Sequence, residues 1–185
     1  NTGCILREND GILPSREKWK NWTAYDTALI SIGQGKILVS PLQAASYTAA
    51  IANGGLLWKP RLVREVRNPS TGEKKVFPTE LRGKLAASPR TLSLVREGMS
   101  RAVSEYEGSA KRARVEGLEI CGKTGTAEVG SGANRHKNTW FIGFTKTSSG
   151  RTYAIAVLVL HGDSGGGTSA PLAARLFEKL EELEL

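Results

Sequence analysis

One short segment of the chain combines side chains that could bind an anionic ligand. It reads Gly122-Lys123-Thr124-Gly125-Thr126-Ala127 and follows a short apolar stretch. The Lys123 ammonium carries a positive charge, and the hydroxyls of Thr124 and Thr126 can donate hydrogen bonds to a carboxylate. Gly125 has no side chain, so an extended ligand could lie against its backbone. By itself a Lys-Thr-Gly tripeptide is weak evidence, because a strand end with a glycine kink is its simpler interpretation.

The other residues with reactive side chains do not suggest a second site. His136 is predicted to be exposed in a loop and His161 to lie in a turn. No spacing of His, Cys and carboxylate residues suits a metal, so we expect neither a metal nor a cofactor. Cys4 and Cys121 are too few for a disulfide framework, and Cys121 is expected to be small and buried. Residues 31–35 form a glycine-flanked turn without the spacing of a phosphate-binding loop, which argues against a nucleotide site.

The Lys-Thr-Gly segment must be positioned by the last third of the chain, which has the pattern of a strand meander. Leu118 and Ile120 alternate with polar residues and lead into the segment, and a second strand is predicted over residues 139–145. The third strand, over residues 153–160, is apolar on both faces and is therefore predicted to be central and covered. Residues 127–138 are predicted to be a polar, glycine-rich loop. The connections between these three strands are too short for a crossover, so the strands are predicted to pair antiparallel.

Capping residues predict the helices that would pack on this sheet. Ser40-Pro41-Leu42-Gln43 combines a capping box with proline at the first helical position, and Gly54-Gly55 ends that helix. Ser88-Pro89 begins a second helix in the same way. A final helix starts near Ser169 and Pro171 and is expected to cover one face of the sheet. Its predicted apolar stripe consists of Leu172, Leu176, Leu180 and Leu183.

Two further regions are predicted to lie outside this arrangement of sheet and helices. Residues 1–27 are polar and irregular, and residues 61–67 and 73–77 suggest a short exposed hairpin around a turn at residues 68–72. Trp140 is predicted to belong to the core, with a cleft-lining position as the alternative.

The composition excludes several classes of protein. The chain has 185 residues, of which 39% are hydrophobic, together with 21 glycines; these values are typical of a globular domain or a piece of one, and not of a disordered or collagen-like chain. No apolar run approaches the length of a membrane span. The formal net charge is +8, but the basic residues are scattered and lack an aromatic ladder, so nucleic-acid binding is not expected. The first residues, which lack Met and a leader pattern, suggest a cut through a longer protein.

The motifs occur in an order that resembles the C-terminal part of the transpeptidase domain of penicillin-binding proteins, most closely the monofunctional class B type. The resemblance covers about residues 11–177, and the ordered series is more specific than any single motif. The matching stretches are Gly11-Ile-Leu-Pro-Ser15, Asp26-Thr27, Ser31-Ile-Gly-Gln-Gly35, Val39-Ser-Pro-Leu-Gln43, Ala52-Asn-Gly-Gly55, Leu94-Val-Arg-Glu-Gly-Met99, Lys123-Thr-Gly-Thr126, Trp140-Phe-Ile-Gly143 and His161-Gly162.

The resemblance implies an α+β fold, an incomplete β-lactamase/transpeptidase-like domain of which residues 1–185 form the C-terminal portion. About three of the family's five antiparallel strands are expected here, packed against helices. The missing strands would leave an apolar patch exposed. We therefore expect a companion chain or oligomerisation to cover that patch.

The family uses three motifs, Ser-x-x-Lys, Ser-x-Asn and Lys-Thr-Gly, and only the third is convincing in this chain. By this resemblance Lys123 is the catalytic residue, and Thr124, Gly125 and Thr126 bind substrate. The backbone N–H of Thr126 resembles the family's second oxyanion donor. The string Ser15-Arg-Glu-Lys18 matches the family's Leu-Pro-Ser connection and not its nucleophile helix. We therefore expect the nucleophile to lie upstream of Asn1 and this chain alone to be inactive.

The resemblance also implies a function for the parent protein. It would be a serine-type D,D-transpeptidase that crosslinks peptidoglycan stem peptides ending in D-Ala-D-Ala and is acylated by β-lactams. It would be anchored in the bacterial inner membrane, with this domain on the periplasmic or extracytoplasmic side beside other cell-wall synthesis proteins, and without nucleic acid. The alternative is a catalytically dead relative that acts as a binding or scaffold module. The upstream motifs would distinguish the two.

Overall fold

The computed structural model describes residues 2–4 and 7–183, within which helices and antiparallel strands form an α+β fold as predicted. In chain order the helices and strands are α1 (Ala24–Ser31), α2 (Pro41–Ala52), β1 (Leu56–Trp58), β2 (Glu65–Arg67), β3 (Lys74–Val76), β4 (Leu81–Lys84), α3 (Pro89–Ser104), β5 (Ile120–Val129), β6 (His136–Lys146), β7 (Thr152–Val159) and α4 (Ala170–Glu182). A π-helical turn, Gly165–Ser169, immediately precedes α4.

The main sheet contains three antiparallel strands in the order β5-β6-β7. β5 and β6 are longer than predicted, and Val129 pairs with His136. The predicted loop over residues 127–138 is therefore wrong, because only residues 130–135 connect the strands. Gly130 makes this tight connection possible: its φ is 81°, and a Cβ there would lie 2.4 Å from the carbonyl oxygen of Asn134.

β7 lies at an edge of the sheet, where the sequence predicted a central strand. Among the residues that the structure describes, only β6 pairs with it. Its apolar character on both faces arises because both faces are packed. Ile155 and Val157 contact the cluster around Phe141 and Phe177, whereas Ala154 contacts the cluster of Met99, Cys121 and Phe144. Successive side chains of a strand point to opposite faces, so both faces of β7 become apolar.

The caps that predicted α2 and α3 are present in the structure. The Ser40 hydroxyl accepts a hydrogen bond from the Gln43 N–H at 3.2 Å, and the Gln43 side chain accepts one from the Ser40 N–H at 2.9 Å. At the start of α3 the Ser88 hydroxyl accepts from the Thr91 N–H at 3.1 Å. α2 packs on β6 and β7, whereas α3 packs beside β5.

α4 covers the opposite face of the sheet, but of the predicted leucine stripe only Leu180 packs against the core cluster of Phe141 and Phe177. Its buried residues are Ala170, Ala173, Ala174 and Phe177. Leu172 and Leu176 remain 39% and 47% exposed. The alanines let the helix backbone approach the core closely, and Phe177 then packs edge-on against Phe141 at 6.4 Å between ring centroids.

The first half of the chain contains more structure than predicted. α1 occupies part of the region expected to be irregular, and its capping box, with Thr23 accepting from the Asp26 N–H and Asp26 accepting from the Thr23 N–H, was visible in the sequence. The predicted hairpin is present as β2 and β3, with strands of three residues each. β1 pairs with β4, a pairing that the sequence did not suggest.

None of the helices in the described part of the chain is long and apolar enough to cross a membrane.

Candidate substrate-binding site

The Lys-Thr-Gly segment lies in the middle of β5. One side of β5 pairs with β6, and the other side is its open edge. The carbonyl oxygen of Thr124 accepts a hydrogen bond from Lys123 Nζ at 2.6 Å. The carbonyl oxygen of Thr126 accepts one from Gln34 Nε2 at 2.7 Å. In an antiparallel strand the N–H and C=O of one residue point to the same side, and alternate residues share that side. The N–H groups of Thr124 and Thr126 therefore face this open edge too.

A groove of about 280 Å³ runs along the open edge. Its walls come from three parts of the chain: β5 with its neighbour β6, the connection between α1 and α2, and the middle of α2. The lining residues are Ile32, Gly33, Gln34, Val39, Tyr47, Lys123, Thr124, Gly125, Thr126, Ala127, Trp140 and Ile142. Trp140 therefore lines the cleft, which was the alternative to the predicted core position. Burial raises the pKa of the Tyr47 phenol, which is uncharged at neutral pH in any case.

The side chains of Thr124 and Thr126 are held by residues on the α4 side of the sheet. The Thr126 hydroxyl accepts a hydrogen bond from the Gly165 N–H at 3.1 Å, which leaves its own proton available to a ligand. The Thr124 hydroxyl lies 3.1 Å from the Ser109 hydroxyl and donates to it. The two threonines that the sequence treats alike thus have different partners. Sequence reasoning missed Ser109, and no motif identified it.

Gly165 makes its hydrogen bond because it lies almost in contact with the β5 backbone. A Cβ at this position would lie 2.5 Å from the carbonyl oxygen of Gly125 and 2.8 Å from that of Trp140. Only glycine permits this approach without movement of the backbone. The π-helical turn before α4 therefore supports the strand segment that carries the candidate binding residues.

Gln34, to which the sequence reasoning assigned no chemistry, reaches β5 from the turn after α1. Gly33 and Gly35 flank it with φ values of 73° and 80°, a conformation that favours glycine. Lys36 binds Asp26 at 2.8 Å across the same turn. The Lys36 ammonium, followed by the Thr23 hydroxyl and N–H, lowers the pKa of Asp26 from 3.8 to about 2. The two glycines could be recognised in the sequence as a sign of a tight turn, but nothing in the sequence indicated that Gln34 contacts Thr126, 92 residues away.

Ser15 does not occupy a helix. It precedes a turn in which the Trp19 N–H donates to the Ser15 carbonyl at 3.0 Å, and its hydroxyl accepts from the Lys18 N–H at 3.3 Å. A nucleophilic serine activated by the lysine three residues later would place both on one turn of a helix. This local geometry favours the interpretation of Ser15 as part of a connection.

Of the two predictions for histidines, the one for His161 is confirmed and the one for His136 is wrong. His161 lies in a turn, as predicted, with a φ of 56°. His136 is not in an exposed loop; it begins β6, is half-buried, and stacks on His161 with ring centroids 4.2 Å apart. Cys121 is buried as predicted, and both cysteines are free. In the described ranges no three His, Cys, Asp or Glu residues group as metal ligands would.

Comparison with known proteins gives consistent matches. The model of the penicillin binding protein transpeptidase domain matches residues 5–178. The chain is 31% identical over 148 residues to the peptidoglycan D,D-transpeptidase PbpA of Mycolicibacterium smegmatis, covering 77% of this chain and 29% of that protein. It is 30% identical over 198 residues to the peptidoglycan D,D-transpeptidase MrdA of Acinetobacter baumannii, covering 96% of this chain and 28% of that protein.

Solved structures show the same likeness. The imipenem acyl-enzyme complex of penicillin-binding protein A from Mycobacterium tuberculosis superposes with a TM-score of 0.76 at 25% identity, over 95% of this chain and 37% of that one. The chain spans less than a third of the length of the curated relatives PbpA and MrdA.

Proposed function

Since the chain belongs to the family of penicillin-binding protein transpeptidase domains, as a class B fragment, we propose that its parent protein is a serine-type peptidoglycan D,D-transpeptidase. In this proposal residues 1–185 are the C-terminal portion of the domain. They supply the wall of the active site that binds substrate, and the serine nucleophile comes from elsewhere in the parent. The open edge of β5, with Lys123 and Thr126 beside the groove, is the observation that carries the proposal.

The proposed reaction is acyl transfer in two steps. A serine hydroxyl attacks the carbonyl carbon of the penultimate D-Ala, the peptide bond breaks, and terminal D-Ala leaves with the proton that the serine lost. An amine of a second stem peptide then attacks the ester carbonyl and forms the crosslink, the bond between the serine oxygen and the carbonyl carbon breaks, and the amine gives one of its own protons to the serine. A β-lactam undergoes the first step only, because its ring opens without losing a leaving group.

The residues on β5 have separate roles in this scheme. The Lys123 ammonium and the free proton of the Thr126 hydroxyl bind the terminal carboxylate of the stem peptide. The Thr126 N–H faces the open edge, where it would stabilise the developing oxyanion; one such donor is worth about 3 kcal/mol. Gly125 leaves the strand surface bare between them. Thr124 contributes through its backbone at the edge, with its hydroxyl directed towards Ser109.

The partners and location follow from the same proposal. The ligands are stem peptides ending in D-Ala-D-Ala and the β-lactams that resemble them. The parent is a bacterial inner-membrane protein whose transpeptidase domain faces the periplasmic or extracytoplasmic side, where peptidoglycan is assembled beside other cell-wall synthesis proteins.

Fluorescent penicillin labelling of the full-length protein tests this function. We expect a covalent adduct, and Lys123→Gln should lower the second-order labelling rate about 10- to 100-fold, the range for a hydrogen bond to a charged group. Lys146→Gln, an exposed lysine at the far end of β6, should label like the wild type.

Two outcomes would contradict the proposal. Absence of an adduct on the full-length protein would favour the catalytically dead scaffold instead. Loss of labelling in Ser15→Ala, with no loss in Lys123→Gln, would move the nucleophile to Ser15 and remove the role of the β5 edge.

A further inference from the structure

The carbonyl oxygen of Thr126 is already occupied in the free chain. Gln34 Nε2 donates to it at 2.7 Å in a partly buried hydrogen bond between residues 92 positions apart. Because this carbonyl lies on the open edge of β5, the carboxamide of Gln34 stands where the backbone of an added strand would stand.

The turn that carries Gln34 holds this position firmly. The Gln34 N–H donates to the Leu29 carbonyl at 2.9 Å, which ties the residue to the end of α1. The Lys36–Asp26 ion pair, 2.8 Å long, closes the turn on its other side. The bond to Thr126 is thus made by a residue whose backbone is already fixed, so forming it orders the Gln34 side chain but costs no further backbone entropy.

A ligand that adds to the edge needs the same acceptor. An extended peptide pairs with alternate residues of a strand, and a ligand amide N–H opposite Thr126 would donate to the Thr126 carbonyl. The Gln34 carboxamide supplies the same donor chemistry in the same place. The carbonyl oxygen has two lone pairs, but the Gln34 carboxamide and the backbone of an added strand would fill the same space in front of it, so a second donor must compete with Gln34 for that position.

We propose that Gln34 is a specificity-determining residue that caps the Thr126 carbonyl and must be displaced by ligands that bring their own amide N–H to it. The inference rests on the proposed function, since it assumes that ligands bind along the β5 edge. Gln34 then weakens the binding of ligands that carry this amide N–H, and it does not affect the binding of ligands that lack it. Lys123, which caps the Thr124 carbonyl, acts differently because its charge also attracts the ligand's carboxylate.

The test compares two β-lactams on the full-length protein. Benzylpenicillin carries an acylamino group beside its lactam ring, whereas imipenem carries a hydroxyethyl group there. We expect Gln34→Ala to raise the second-order acylation rate by benzylpenicillin about two- to tenfold, the range of one neutral hydrogen bond, and to leave the rate with imipenem within about twofold. Gln34→Met, similar in length but uncharged and without the N–H donors, should act in the same direction.

Controls separate this inference from its alternatives. Ser31→Ala removes a hydroxyl that donates to the Thr27 carbonyl within α1, and it should change neither rate. A fall in both rates in Gln34→Ala and Gln34→Met would show that Gln34 positions the strand, and equal rates throughout would show that the cap is unimportant; either result overturns the inference. If the wild type forms no adduct with either drug, the proposed function itself fails, and this inference fails with it.

Discussion

Gly165→Ala tests whether close contact between the π-helical turn and β5 holds the candidate site together. The added Cβ would lie 2.5 Å from the carbonyl oxygen and 2.9 Å from the nitrogen of Gly125, well inside an ordinary contact distance of 3.4 Å. Both atoms belong to the backbone of a paired strand and cannot rotate away. The turn must therefore withdraw, and the hydrogen bond from the Gly165 N–H to the Thr126 hydroxyl, 3.1 Å long, would stretch or break.

The expected cost follows from these contacts. Overpacking a tight site costs about 1–3 kcal/mol, and losing one hydrogen bond adds about 1 kcal/mol. For a chain of this size, a loss of about 2–4 kcal/mol lowers the thermal midpoint by roughly 5–15 °C. In the full-length protein we expect penicillin labelling to fall as well, even at temperatures well below the midpoint, because the Thr126 hydroxyl would lose its orientation.

Circular dichroism melting of the chain, with Gly98→Ala as the matched control, provides the assay. Gly98 is exposed within α3, and a Cβ there would have nothing within 4 Å. Its replacement should stabilise the chain by about 0.5–1 kcal/mol through helix propensity alone. If Gly165→Ala melts at or above the wild-type temperature, the close-approach reasoning is wrong.

Two further predictions concern single titratable groups. The pKa of Asp26 in the folded chain, about 2, lies below its ordinary value of 3.8, so its stabilising effect is complete above pH 3.8 and is lost as the pH falls through 2. Asp26→Asn should therefore lower the thermal midpoint at pH 7, and the gap should close towards pH 2; a gap that is constant with pH would contradict this. Burial raises the pKa of the Cys121 thiol, which is 8% exposed, so iodoacetamide at pH 8 should modify Cys4 well before Cys121 in the folded chain; equal rates by peptide mapping would contradict the buried position.

The parts of the fold that could be predicted from the sequence are those with a local cause. The Ser40 and Ser88 caps each place a side chain three residues from its partner, so the start of α2 and of α3 could be inferred directly. The strand meander followed from short connections between apolar runs. The α1 helix could have been found by the same logic from Thr23 and Asp26.

Packing faces were predicted less well. Of the regular leucine stripe of α4 only Leu180 packs against the core. The helix instead buries its alanines and Phe177, because hydrophobic periodicity identifies a helix without showing which face is complementary to the sheet. β7 has the composition of a central strand, but helices on both faces produce the same pattern at an edge.

The sequence alone determined that an ammonium, two hydroxyls and a glycine stand together on one strand, since residues adjacent in the chain stay adjacent in any fold. It also carried the ordered motifs that indicate the family. Only the tertiary structure decided what surrounds that strand: Gln34 on the Thr126 carbonyl, Ser109 beside the Thr124 hydroxyl, and Gly165 against the backbone of Gly125. These contacts join residues 15 to 92 positions apart. Their formation depends on how helices and sheet pack, which no local pattern of residues specifies.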